Sequence, residues 1–96
     1  MTPTKPHHKL LAWTEAMALV HVVYELTRCF PAEETYGLAA QLRRAAVSVP
    51  SNLAEGAARN GRREFVNFLG IARGSLSELE TQLLIATDLG YLPSDH

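Results

Sequence analysis

The stretch from Gln41 to Glu55, QLRRAAVSVPSNLAE, decides the fold, because its apolar and polar residues separate onto different sides of one helix. At about 100° per residue, Leu38, Leu42, Ala45, Val49 and Leu53 share one side, and Gln41, Ser48, Asn52 and Glu55 run along its edge. Arg44 borders that polar stripe, while Arg43 points more nearly away. The opposite side carries Ala40, Val47 and Ala54, a second apolar face of small residues that one intramolecular core does not require. Two such faces predict two partners, one within the chain and one outside it.

The chain has 96 residues, of which 47% are hydrophobic and 20% charged, an ordinary globular balance that argues against disorder. That length makes one domain. Chains so short bury only about 60–65% of the surface exposed on unfolding and gain from oligomerising. Nine Lys and Arg against ten Asp and Glu leave a charge of −1, so there is no global attraction to nucleic acid or anionic lipid. Only a local basic patch would supply one. The single cysteine, Cys29, rules out an intramolecular disulfide framework and fits the reducing cytoplasm. The segment Met1–His8 lacks the apolar core of a signal peptide, and no run approaches the roughly 18–20 apolar residues of a membrane span. A soluble cytoplasmic chain with no membrane partner is expected.

Residues 1–7, with Pro3 and Pro6, read as a flexible lead-in to a helical domain over residues 8–92. A first helix is expected over about 8–29, its stripe made by Leu10, Trp13, Met17, Val20 and Tyr24 and broadened by Ala16, Val23 and Phe30. Leu11, Leu19 and Leu26 lie off that stripe. Pro31 ends the helix, since proline disfavours the α conformation in the residue before it. Glu33 and Glu34 suit the first turn of whatever follows, and Tyr36-Gly37 makes a hinge into a second helix over about 38–58. Pro50 lies inside that helix at a cost of about 3 kcal/mol. It should kink the helix without breaking it, with Ser48 and Ser51 helping to satisfy the freed carbonyls.

Arg59-Asn60-Gly61-Arg62 is a turn whose Asn-Gly pair tolerates positive φ. A third helix follows over about 63–89, burying Phe65, Leu69, Ala72, Leu76, Leu79, Leu83 and Ala86 and stopping at Gly90. Gly70 and Gly74, four apart, suggest a close helix approach. Tyr91 to His96 form a loop, and residues 93–96, with the capping pair Ser94-Asp95, read as the start of a further helix that is truncated or absent.

Gln41, Arg44, Ser48, Asn52 and Glu55 on the second helix, with Arg73, Ser75, Glu78 and Gln82 on the third, form a candidate polar seam. It reads first as a hydrogen-bonded device that fixes helix register and oligomer geometry. A competing reading pairs Glu55 with Glu78 for acid and base chemistry. A bundle-type metal site would want facing Glu-x-x-His pairs, which are absent. His7 and His8 would chelate only with further ligands, and His21 reads as a surface or interface residue. Arg43, Arg59, Arg62 and Arg63 make a candidate nucleic-acid patch, though no aromatic residues interleave with them. There is no Gly-rich phosphate loop, no Gly-x-Ser-x-Gly elbow and no paired Cys or His spacing, and Cys29 has no activating histidine. No enzymatic activity, metal or cofactor is expected.

The run from Gly37-Leu38 through Gln41–Gly56, then Arg59, Glu64-Phe65 and Phe68–Glu80, resembles the four-helix-bundle proteins known as S23 ribosomal protein or 23S rRNA intervening-sequence protein. Trp13, Ala16, Tyr24 and Phe30-Pro31 fit as well, so the resemblance covers about residues 9–92. It implies an all-α, up-and-down antiparallel helix bundle that assembles as a homo-oligomer, a homopentameric ring or barrel, in bacteria. It implies a structural or interaction role whose partners the family leaves largely uncharacterised. Relatives serving diversity-generating retroelements are strongly basic pentamers that bind nucleic acid and a reverse transcriptase, which makes an accessory nucleic-acid role the alternative. This chain differs in being slightly acidic. Gly61 stands where the family often has a capping Ser or Thr, and the family continues as a fourth helix where residues 93–96 begin one. Three helices alone would expose an apolar groove that a neighbouring chain should cover.

Overall fold

The computed structural model describes residues 5–93. Among them are three α-helices and no strand: α1 Leu11–Thr27, α2 Leu38–Ala57 and α3 Arg62–Asp88. Pro6–Lys9 form a single 3₁₀ turn before α1, so part of the expected lead-in is regular structure and α1 starts later than periodicity suggests. Proline at the first position supplies its fixed φ there. Ser94 and Asp95, expected to cap a further helix, lie outside the described residues.

α2 lies between the other two helices. Arg43 meets Thr27 of α1, Ser48 meets Ser75 of α3, and Gln41 meets Gln82 of α3, so consecutive helices run antiparallel. The backbones of α1 and α3 do not touch. Leu42 and Ala46 of α2 are wholly enclosed, and two apolar clusters share the helix. Val23, Phe30, Leu38, Leu42, Leu79 and Leu92 gather around its first half, and Ala16, Val49, Leu53 and Ala72 around its second.

The flanking helices bury only part of their expected apolar faces, and each adds one polar residue to the enclosed set. In α1 the buried positions are Ala16, Val23 and Thr27, while Met17 and Tyr24 are exposed. In α3 they are Ala72, Leu79, Gln82 and Ala86, while Leu69 and Leu76 are exposed. Ala16, Ala72 and Ala86 share the contact with α2 with the larger Val23 and Leu79. Leu19 and Leu26, off the predicted stripe of α1, line the space between α1 and α3.

That space leaves the molecule open. The radius of gyration is 14.9 Å, against about 12.5 Å for a compact chain of this length. The accessible surface is 6714 Å², against roughly 5,500 Å² for a folded monomer of this mass.

Pro50 is buried inside an unbroken α2. Ser51 Oγ donates to the Val47 carbonyl at 2.7 Å, close to the turn that proline disturbs. Ser48 does not act this way. Its hydroxyl crosses to Ser75, and its carbonyl receives Asn52 Nδ2 at 2.8 Å.

The turn between α2 and α3 needs no left-handed residue. No described residue other than glycine has positive φ, and Gly61 is extended, with φ −168° and ψ 152°, as an N-cap without a side-chain acceptor. The glycine that matters for packing is Gly56, where a Cβ would stand 2.8 Å from Phe68 Cβ. Around Gly70 and Gly74 a Cβ would meet nothing within 4 Å, so these two do not mark the close approach.

Glu34 joins three parts of the chain. Its Oε1 accepts from Leu38 N–H at 3.0 Å, capping α2, and its Oε2 accepts from Tyr91 O–H at 2.8 Å. Tyr91 reaches it because α3 ends in a Schellman turn, with Gly90 N–H donating to Thr87 O and Tyr91 N–H to Ala86 O. Gly90 takes φ +82° there. The Leu38 N–H bond, then the Tyr91 hydrogen bond, hold the Glu34 carboxyl below its ordinary 4.5. The bond to Glu34, then burial, push the Tyr91 hydroxyl above 10.0. A carboxyl depressed in the folded state contributes stability above its unfolded value and loses it as pH falls through the folded one. Wild type should therefore exceed Glu34→Gln in urea-denaturation stability at pH 7. The gap should close as pH drops from 4.5; a gap independent of pH would refute the role given to the carboxylate.

Candidate functional site

Helix periodicity places Gln41, Ser48 and Asn52 on the flank of α2 that meets α3, and Ser75, Glu78 and Gln82 on the answering flank. Ser48 Oγ and Ser75 Oγ share a hydrogen bond of 2.7 Å, and Asn52 Nδ2 donates to Ser48 Oγ at 2.9 Å. Gln82 Nε2 donates to Glu78 Oε2 at 3.0 Å and, more weakly, to Gln41 Oε1 at 3.5 Å. Gln82 is only 6% exposed, and its Oε1 has no partner among the described residues, a cost of about 1–3 kcal/mol for a buried acceptor. These six residues form the seam.

Three residues expected in it stand elsewhere. Arg44 is exposed on the outer side of α2. Arg73 lies on the other flank of α3 and borders the trough toward α1. Glu55 pairs with Arg59 at 3.1 Å and does not face Glu78. In antiparallel helices each step forward on α2 is a step back on α3. With Ser48 level with Ser75, Glu55 is level with residue 68 and about 15 Å along the axis from Glu78. The two carboxylates are too far apart to work as a pair.

The arginines likewise divide. Arg59 is held by Glu55 and lies over the Phe68 ring at 5.1 Å. Arg62 and Arg63 are exposed in the first turn of α3. Arg43 is not beside them. It sits sixteen residues before Arg59, about 24 Å along α2, with Nε donating to Thr27 Oγ1 at 2.8 Å and its guanidinium over Tyr24 at 4.6 Å. Periodicity sets Arg43 apart from the seam, and only packing identifies Thr27 and Tyr24 as its contacts.

Two apolar surfaces remain. On one side, adjoining cavities of about 450 and 480 Å³ run between α1 and α3, lined by Leu19, Leu26, Leu69, Leu76, Leu83 and Leu84. On the other, Trp13, Met17, Val20, Val47, Pro50 and Ala54 border a shallow groove of about 300 Å³ between α1 and α2. Val47 is 40% exposed there. Ala54 shares this groove, and Ala40 is half-buried nearer the start of α2.

No group of three or more His, Cys, Asp or Glu converges among the described residues. His7 and His8 pack their rings against Trp13, at 4.9 and 5.1 Å between centroids. No helix of the described residues is long and apolar enough to cross a membrane. Sequence reasoning missed Gly56, Thr27 and Tyr91. For Tyr91 a signal existed, since the residue after a C-terminal glycine often packs an apolar side chain back on the last helical turn.

Comparison with curated proteins returns no match. Residues 8–96 match the family model of the 23S rRNA-intervening sequence protein. That span takes in all three helices, the Gly56 crossing and the Ser48–Ser75 seam, and the chain belongs to the 23S rRNA-intervening sequence protein family.

Proposed function

We propose that this protein is a non-catalytic, cytoplasmic interaction scaffold that works as a homo-oligomer. The observation that carries the reading is the pair of apolar surfaces on opposite sides of α2, on a chain whose surface of 6714 Å² exceeds that of a folded monomer of its mass by roughly 1,200 Å². A stable interface takes about 800 Å² from each partner. In this reading α1, α2 and α3 are three members of an up-and-down bundle. A fourth helix, whichever chain supplies it, fills the trough between α1 and α3. The Val47 face meets the next subunit, and the seam from Gln41 to Gln82 holds α2 and α3 in the register that presents it. Five subunits is the number that family resemblance implies.

Light scattering on the eluting protein at low salt tests this, with absorbance recorded at about 260 and 280 nm on the same peak. Wild type should elute near 53 kDa, five times the 10.6 kDa chain. Val47→Asp should elute as a monomer, because an unpaired charge would be buried at the contact. A monomeric wild type, or an unchanged mass for the folded variant, would overturn the assignment.

The same trace addresses a second reading, a nucleic-acid-associated accessory protein. It is favoured by Arg62 and Arg63, exposed beside Arg59 at the start of a helix whose cap is a bare glycine. Nucleic acid would coelute at low salt and be shed as salt rises.

A further inference from the structure

We propose that the small pocket between the end of α1 and the start of α2 binds a phosphate-sized dianion, with Arg43 as its principal ligand. The pocket holds about 130 Å³, the volume of roughly four water molecules. That admits one phosphate group. Arg43 and Arg28 supply two positive charges to its wall, Thr35 contributes a hydroxyl, and no carboxylate lines it.

Arg43 is set in place before any ligand arrives. Its Nε donates to Thr27 Oγ1 at 2.8 Å, and that hydroxyl donates onward to the Val23 carbonyl at 2.8 Å. Thr27 is 4% exposed, so this chain of bonds fixes where the guanidinium starts. The Tyr24 ring, 4.6 Å from Cζ, then restrains its plane. With Nε and one face engaged, the Nη1–Nη2 edge has no acceptor among the described residues. This is the edge on which two oxygens of an oxyanion bind side by side.

The Thr35 hydroxyl also has no side-chain partner among the described residues. Among the described residues Arg28 pairs with Glu25, at 3.4 Å in an exposed pair, the kind of contact that costs little to open. A tie between α1 and α2 needs only the Nε bond and the stacked face. The second arginine and the open fork are what a doubly charged ligand uses. The ligand is a phosphate monoester group, either on a small molecule or at the end of a polynucleotide.

The test is a titration of the 96-residue protein with inorganic phosphate at constant ionic strength, following Arg43 Nε–H and the backbone amides by NMR. A parallel titration uses a short oligonucleotide with and without a 5′-phosphate. Saturable shifts confined to Thr27, Arg28, Thr35 and Arg43 are expected. Arg43→Lys, which keeps the charge but not the fork, should weaken binding about tenfold or more, and Arg62→Ala should leave it unchanged. Competition by the 5′-phosphorylated oligonucleotide alone supports the site with a polynucleotide source; its absence, with phosphate still saturating, supports it with a small-molecule source. Shifts that never saturate, or equal binding by Arg43→Lys, would overturn the proposal. Should Arg43→Lys fail to fold, Thr35→Val, which leaves the Arg43–Thr27 bond intact, should weaken phosphate binding severalfold; an undiminished affinity there overturns it too.

Discussion

Leu42→Ala is expected to lower the unfolding free energy by about 2–5 kcal/mol, read as a fall in the urea midpoint at unchanged m-value. Leu42 is 0% exposed and shares a cluster with Val23 of α1 and Leu79 of α3. Truncating it opens a cavity at a point where all three helices contribute. Single domains hold only about 5–15 kcal/mol, and this one has an open side, so the loss would take a large share of the total. A loss under about 1 kcal/mol would mean that the centre of the core is elsewhere. Leu84 is a control with its own information. It is 60% exposed on the wall of the trough, so Leu84→Ala should shift the isolated chain by no more than about 0.5 kcal/mol. A larger cost in the assembled protein would show that the trough is occupied there.

The second large effect is expected at Gly56. An added Cβ would stand 2.8 Å from Phe68 Cβ and 3.2 Å from Phe65 Cδ1, with the Phe65 carbonyl at 3.4 Å. Phe68 Cβ sits at the root of its side chain, so relief requires α3 to move. Overpacking of this kind costs about 1–3 kcal/mol, and the helix propensity gained by replacing glycine returns at most about 1 kcal/mol. Gly56→Ala should therefore destabilise, while Gly70→Ala and Gly74→Ala, whose added carbons meet open space, should stabilise by about 0.5–1 kcal/mol each. Thermal unfolding of the three variants separates the cases. Equal stabilisation by all three would refute the close crossing at Gly56.

These variants also mark what could be read before the structure. Gly70 and Gly74 attract attention because they recur at helical spacing, whereas Gly56 is a lone glycine near a helix end. Spacing reports which residues share a face. It does not report how near the neighbouring helix passes, which depends on side chains from a different part of the chain. Arg43 illustrates the same limit. Its sequence neighbours make it one of a group of arginines, but its position on the helix turns it toward Thr27 and Tyr24. The four arginines of the candidate patch are thereby split, Arg43 in a packed junction and Arg59, Arg62 and Arg63 at an exposed turn.

The amino-acid sequence by itself determined the helical class and the span of α2, because its 3.6-residue periodicity, Pro31 before it and the turn after it are local signals. It also determined the buried side of α2, where Leu38, Leu42, Ala45, Val49 and Leu53 are all enclosed. α2 has neighbours on two sides, so its periodic face and its buried face coincide. Ala16 and Val23 of α1 and Ala72, Leu79 and Ala86 of α3, expected on the apolar faces, are buried as well. Only the tertiary structure decided how far those faces are covered, since it leaves Met17, Tyr24, Leu69 and Leu76 exposed and encloses Thr27 and Gln82. The register that sets Ser48 against Ser75 and keeps Glu55 from Glu78 was likewise decided in three dimensions, since the relative position of antiparallel helices follows from the connection between them and the fit of Gly56 against Phe68.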